Sequence, residues 1–281
     1  MNSVLHRVTA EQIEPHPFPH LVIDDAVEPE LYRELAATMP PAEMILRGRI
    51  AENNTPYRLS AHDMLLGQRT ADSGQQENDE NDAASRAPVV CCPLSAVRMA
   101  AWREFIRLHT SKEFFDDVVR VFGGTIRALH PELESRTGAL DALRTSIRYA
   151  EPFADAALDC QITWGSPVRE STRCHRVHVD RQLALYAGLL YMRRPEDDSR
   201  GGDLELYRFR SRPRVFEPGR YVDDALVERV KTIPYAANRL VFFIHSSDAL
   251  HGVSARSATP HPRLHVNFLA ELQEMFWELA A

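Results

Sequence analysis

The stretch CHRVHVDRQLALYAGLLYM, residues 174–192, decides how the chain reads. LALYAGLLYM is an apolar run of strand length, and RVHVD before it alternates apolar with polar residues. From about residue 145 onward similar runs recur on both sides: TSIRYA, DCQITWG, DLELYRF, KTIPY, NRLVFFIH, LHGVSA and RLHVNFLAEL. Gly, Pro, Ser and Asp punctuate them, which predicts strands at regular spacing, as in a jelly roll or barrel.

The N-terminal half has a different period. HPFPHLVIDDAV (16–27) reads as an extended segment leading into a strand, and EPELYRELAATMP (28–40) as a helix stopped by Pro40 and Pro41. From Leu94 to His130 apolar residues return every three or four positions, which predicts two amphipathic helices broken near Thr110 and Ser111, where a hydroxyl can cap the second. Residues 67–88 hold almost nothing apolar beyond alanine and cannot offset the entropy of ordering, so they predict a mobile surface loop. Residues 42–90 are a candidate lid.

Bulk properties narrow the function. With 281 residues, 44% of them hydrophobic, the chain can bury a substantial core as one domain. A net charge of −7 offers no global attraction to nucleic acid or an anionic membrane, and no run approaches the roughly 20 apolar residues that span a bilayer. The start lacks the apolar core of a signal peptide, so the expected compartment is the cytoplasm. Cys91, Cys92, Cys160 and Cys174 make no CxxC pair and read as reduced thiols. Nucleotide phosphate loops and the GxSxG elbow are absent from the sequence.

The chemistry-bearing constellation begins at His178 and Asp180, which point the same way on a strand and can grip one ion. His251 follows the apolar run NRLVFFIH and can supply a second imidazole from another strand. Two histidines and one carboxylate form the facial triad of non-haem Fe(II) oxygenases, with three coordination positions open. Activating oxygen takes more electrons than Fe(II) gives up, so a reducing co-substrate is needed. A keto acid serves, and its far carboxylate needs a cation. Arg263, opening RLHVNFLAEL, is the candidate anchor, because a guanidinium fork matches a carboxylate.

Together His178-x-Asp180, LLYMR, GGDLELY, NRLVFFIHSSDALHGV and Arg263 resemble the catalytic core of the Fe(II)/2-oxoglutarate-dependent dioxygenases, closest to the prolyl-hydroxylase-like branch, over roughly residues 145–271. The resemblance implies an α+β fold: a double-stranded β-helix (jelly roll) core at 145–271, flanking helices in 1–144 and a C-terminal helix at 272–281, all one catalytic domain. It implies iron at His178, Asp180 and His251, 2-oxoglutarate at Arg263 and Tyr191, ascorbate as a candidate reductant, and O2 with a small-molecule or carrier-tethered substrate. Succinate and CO2 would be released. The gap from His251 to Arg263 is longer than in many relatives, which makes Arg256 the competing anchor. Asp180 favours hydroxylation over halogenation, because halogenating relatives usually carry a small residue there. Desaturation, ring closure and epimerisation would use the same ligands.

The remaining candidates read more plainly. His175, three residues before His178, is expected on the opposite face as a surface or supporting group. His245, His261 and His265 are expected in the core or at the rim, with His245 the substitute for His251. Gly201-Gly202 suits a bend. Arg208, Arg210, Arg212 and Arg214 fit a solvated edge strand or an anion-facing one. Arg173, Arg176 and Arg181 flank the metal motif as candidate substrate contacts, and Trp164 is either a pocket wall or a core residue. Two other functions fit the same fold: a cupin-like metal enzyme without a keto acid, and a non-catalytic ligand-binding jelly roll.

Overall fold

The computed structural model describes residues 1–67 and 99–279. After a short turn of helix at Ala10–Gln12 come strand β1 (His20–Ile23) and a helix, Pro29–Ala37, with proline at its first turn, where a missing N–H costs nothing. The short helix Ala42–Leu46, β2 (Pro56–Leu59) and the helix Ala61–Leu65 follow; the sequence patterns do not signal these. The helices Ala100–His109 and Lys112–Leu129 meet at Thr110-Ser111, and Ser111 Oγ accepts a hydrogen bond from the Phe114 amide (3.3 Å), capping the second as its residue type dictates. The expected mobile loop and Cys91 and Cys92 lie outside the described residues, except for Gly67.

The second half supplies β3 (Thr145–Ile147), β4 (Ala156–Gly165), β5 (Ala184–Tyr191), β6 (Leu204–Phe209), β7 (Val227–Ile233), β8 (Arg239–Ile244), β9 (His251–Val253) and β10 (Arg263–Leu272). Two sheets result. The larger runs β1-β8-β5-β10-β4-β2, antiparallel throughout that path, with β3 added in parallel against β4; the smaller runs β7-β6-β9. Both β1 and β2 come from the N-terminal half, so the large sheet is not confined to residues 145–271.

Strict alternation builds the layers. Leu158, Cys160 and Ile162 of β4 and Leu264, Val266 and Phe268 of β10 face the helices and join Trp102, Phe105, Phe114 and Phe122 in one buried cluster. Trp164 shares this face, half-buried against the main cluster and tilted against Tyr57. On the other face, Ala187 and Tyr191 of β5 and Val241 and Phe243 of β8 pack against Leu204, Leu206 and Ile233 of the small sheet.

Three expectations change. His178-Val179-Asp180 lies in no continuous strand; His178 forms isolated bridges to His251 and Tyr221. Alternation survives locally, with Val177 and Val179 buried in an outer apolar cluster. Residues 273–279 are irregular and not helical, with Trp277 Nε1 donating to the Ala184 carbonyl (3.3 Å). Of the arginines at 208–214 only Arg208 lies on a strand, β6, where it pairs with Glu228 of β7; the other three follow the strand's end, and Arg214 pairs with Asp248 at 2.6 Å. Among the described residues no helix is long and apolar enough to cross a membrane.

Candidate metal centre

His178 and His251 are placed by the backbone. They face each other across an antiparallel bridge and exchange both main-chain hydrogen bonds, at 2.9 and 3.0 Å, which brings the ring centroids to 4.4 Å. Each ring is then oriented by a carbonyl: His178 Nδ1 lies 2.8 Å from the Arg176 oxygen and His251 Nδ1 2.9 Å from the Ala249 oxygen. A carbonyl only accepts, so both Nδ1 atoms carry the proton and both Nε2 atoms keep a free lone pair.

Those lone pairs face Asp180. Its two carboxylate oxygens lie 3.7 Å from His178 Nε2 and 3.7 Å from His251 Nε2, and one ligand atom from each of the three residues lies within 4.8 Å of the others. Burial drives the His178 pKa down to about 4, with the neighbouring His251 adding to the effect; burial also lowers His251. Burial pushes Asp180 the other way, but the summed pull of His245, His251, His178 and Arg220 holds it below the ordinary carboxylate range. Two neutral imidazoles and one ionised carboxylate are the protonation states a divalent cation requires. Two imidazole nitrogens and one carboxylate oxygen suit a divalent first-row transition ion, Fe(II) among them, better than Mg or Ca, which prefer all-oxygen ligands.

Arg263 enters from β10 on the same inner face. Its guanidinium lies 5.1 Å from the Tyr191 ring centre and 5.0 Å from that of Tyr235, and its Nε donates to the Gly202 carbonyl at 2.8 Å. Its Nη2 is buried without a hydrogen-bond partner, and the buried Tyr191 hydroxyl beside it makes no hydrogen bond of good geometry. Unsatisfied buried donors of this kind fit an absent acceptor such as a carboxylate. Arg256 also keeps one buried nitrogen, Nη1, without a partner, but its charge is matched by a buried ion pair with Asp197 at 2.7 Å, and its Nε donates to Ser199 Oγ at 2.9 Å.

The histidine neighbourhood is larger than the sequence suggests. His175 lies beside His178, ring centres 5.6 Å apart, and burial, then His178, lowers its pKa to about 3. Its expected opposite-face placement fails because the segment is not a regular strand. His245 Nε2 sits 3.3 Å from Asp180 and Arg220 also bears on that carboxylate, contacts with no local sequence signal. His265 Nδ1 lies 3.3 Å from Arg263 Nη1, a contact that two-residue spacing on β10 could have flagged. Arg173 pairs with Asp224 (2.7 Å), Arg176 with Glu217 (3.2 Å), and Arg181 lies 3.8 Å from Glu271.

No protein-family model matches the chain, and no curated protein does. Among solved structures it is similar to prolyl 4-hydroxylases from Phytophthora capsici (13% identity, TM-score 0.46) and Pseudomonas putida (12%, 0.40). The first comparison covers 90% of this chain and 59% of the other, the second 91% and 93%. It is also similar to the non-haem alpha-ketoglutarate-dependent epimerase SnoN from nogalamycin biosynthesis (12%, 0.43, covering 90% and 76%). These solved structures are prolyl 4-hydroxylases and an alpha-ketoglutarate-dependent epimerase. The chain spans less than two thirds of the Phytophthora enzyme.

Proposed function

We propose that the protein is an Fe(II)- and 2-oxoglutarate-dependent oxygenase that hydroxylates an unactivated C–H bond of a small or carrier-tethered substrate. In this reading the two sheets are the walls of a double-stranded β-helix, and residues 1–281 act as one catalytic unit. The observation that carries the proposal is the convergence of two Nε2 lone pairs, each fixed by a carbonyl on Nδ1, on one carboxylate. When bound, iron and the keto acid would supply oxygen activation and the electrons for it.

The chain's own residues have assignable tasks. His178, Asp180 and His251 would hold the metal on one face and leave the opposite positions open. Arg263 Nη2 and the Tyr191 hydroxyl would take the distal carboxylate, satisfying two buried groups at once. Tyr235 keeps the guanidinium in place with its ring while its hydroxyl accepts from the Leu264 amide at 2.8 Å. Phe243, 5.0 Å from the His251 ring and 5.3 Å from His245, keeps water from that side of the ligands.

Anaerobic titration of the iron-loaded protein with 2-oxoglutarate tests this, read by the weak visible absorption of a keto acid chelated to Fe(II). A band that is lost in His178→Ala and weakened in Arg263→Ala is the expected result. No band in protein shown to contain iron overturns the proposal.

A further inference from the structure

The register of the large sheet carries one more residue to this site. Arg58 of β2 stands opposite Thr163 of β4, Thr163 opposite His265 of β10, and His265 opposite Tyr191 of β5. Directly opposed residues of an antiparallel sheet share a face, so these four form one row across the inner face, and Tyr191 marks that face as the one holding Arg263. Arg58 is two strand spacings from His265, roughly 10 Å in backbone terms, and its side chain is exposed. Its charge bears on the ionisation of Cys174, His175 and His265, the groups bordering the metal centre on that side.

Among the described residues the Arg58 side chain has no ion pair or hydrogen bond, whereas Arg220 bears on the Asp180 carboxylate. Arg220, in the left-handed region at φ 67°, donates from Nε to the Val179 carbonyl (3.3 Å) and bears on His178 and His245 as well. Between Arg58 and His265, the Thr163 hydroxyl is fully buried with no hydrogen-bond partner. One row further along the same inner face, Asn267 and Leu189 are only half-buried.

The charge balance is decisive. A dication, Asp180, a keto diacid and Arg263 would sum to zero, which leaves Arg58 as a positive charge without an ion pair on this face, on a chain whose net charge is −7. A guanidinium without an ion pair on the face that holds Arg263, with an unsatisfied hydroxyl next to it in the same row, suits an anionic ligand. We propose that the primary substrate carries a carboxylate or phosphate held by Arg58, with Thr163 in the wall behind it and Arg220 at the other end of the histidine cluster. This deepens the oxygenase reading above and rests on it.

The test uses the full-length protein loaded with Mn(II), as a redox-silent stand-in for iron, and saturated with 2-oxoglutarate so that Arg263 is occupied. Inorganic phosphate, acetate and glycerol are titrated in calorimetrically. Phosphate or acetate is expected to bind, glycerol not, and the stronger of the two anions tells a phosphate-bearing from a carboxylate-bearing substrate. Arg58→Gln is expected to weaken anion binding about tenfold or more, while Arg208→Gln, at an arginine paired with Glu228, leaves it unchanged. Equal anion affinity in wild type and Arg58→Gln, or no anion binding by the wild type, overturns the inference. The visible band of separately prepared iron-loaded wild type and Arg58→Gln, titrated anaerobically with 2-oxoglutarate, separates this from failure of the oxygenase reading. A band retained in Arg58→Gln shows the metal centre is intact, so unchanged anion affinity then removes only the Arg58 assignment. A band missing from the wild type removes the oxygenase reading, and the phosphate titration is repeated on Mn(II) protein without keto acid, where loss of affinity in Arg58→Gln still decides whether Arg58 builds an anion site.

Discussion

Arg256 and Arg263 are seven positions apart, both buried, both near Tyr235, and yet they face different tasks. Arg256 neutralises a fully buried carboxylate, so Arg256→Ala leaves Asp197 unpaired; a loss of about 3–5 kcal/mol is expected, seen as a large fall in melting temperature. Arg263 has no carboxylate partner among the described residues and lies against Tyr191 and His265, so its replacement should act on ligand binding first. In Arg263→Lys the charge survives but the fork does not, and 2-oxoglutarate affinity is expected to fall about tenfold or more with iron binding retained, checked by titrating the visible band at fixed iron. Sequence reasoning favoured Arg263 because it opens an apolar strand, whereas the partner that occupies Arg256 lies 59 residues earlier, where no local pattern links the two. Distance in sequence also hid Arg58, whose place at the site depends on β2 pairing with β4 more than a hundred residues later.

At the scale of elements, legibility follows regularity. The runs that became β4, β5, β8 and β10 alternate or stay apolar for six to ten residues, long enough for a period to show. PYRL of β2 is only four residues, and the metal motif is held by two isolated bridges, so a strand rule gave the right shared face for His178 and Asp180 but the wrong one for His175. Glycines test the packing of these elements directly. On Gly188 of β5 a Cβ would sit 2.5 Å from Phe242 Cδ2 and 3.1 Å from Phe268, both rings lying between the sheet and its helices. Gly188→Ala is expected to cost about 1–3 kcal/mol in denaturant unfolding. Gly201, at φ 77°, is the stricter case, since its Cβ would meet the Ala255 carbonyl oxygen at 1.9 Å, backbone that cannot swing aside. Its neighbour Gly202 gives the carbonyl that orients Arg263. Gly201→Ala is therefore expected to lower both melting temperature and keto-acid affinity, while Gly48→Ala, at φ 79° with open space around it, lowers stability alone.

Across the whole molecule, buried neutral histidines set the response to acid. His20, His109, His130, His175, His178, His245, His251 and His265 all titrate below their ordinary value of 6.5, each mainly through burial. His109 isolates the effect, since it is remote from the metal ligands, wholly buried between Phe105 and Phe114, and holds the Val4 amide on Nε2 (3.1 Å) while Nδ1 faces the Phe105 carbonyl. Its pKa falls to about 4, burial being the larger influence and the carbonyl opposing it. Between pH 6.5 and about 4 the unfolded chain therefore binds a proton that the folded chain refuses, so stability drops as pH falls through that window and levels off below it. For this one group the loss is on the order of 2 kcal/mol by pH 5. Replacing His109 with Leu abolishes that term but strands the Val4 amide, which costs roughly 1–3 kcal/mol at every pH. The variant is thus expected to melt well below the wild type at pH 7.5, and to approach or overtake it at pH 5. Melting curves at both pH values decide the matter: a gap that stays constant with pH would show that His109 is not held neutral by the core.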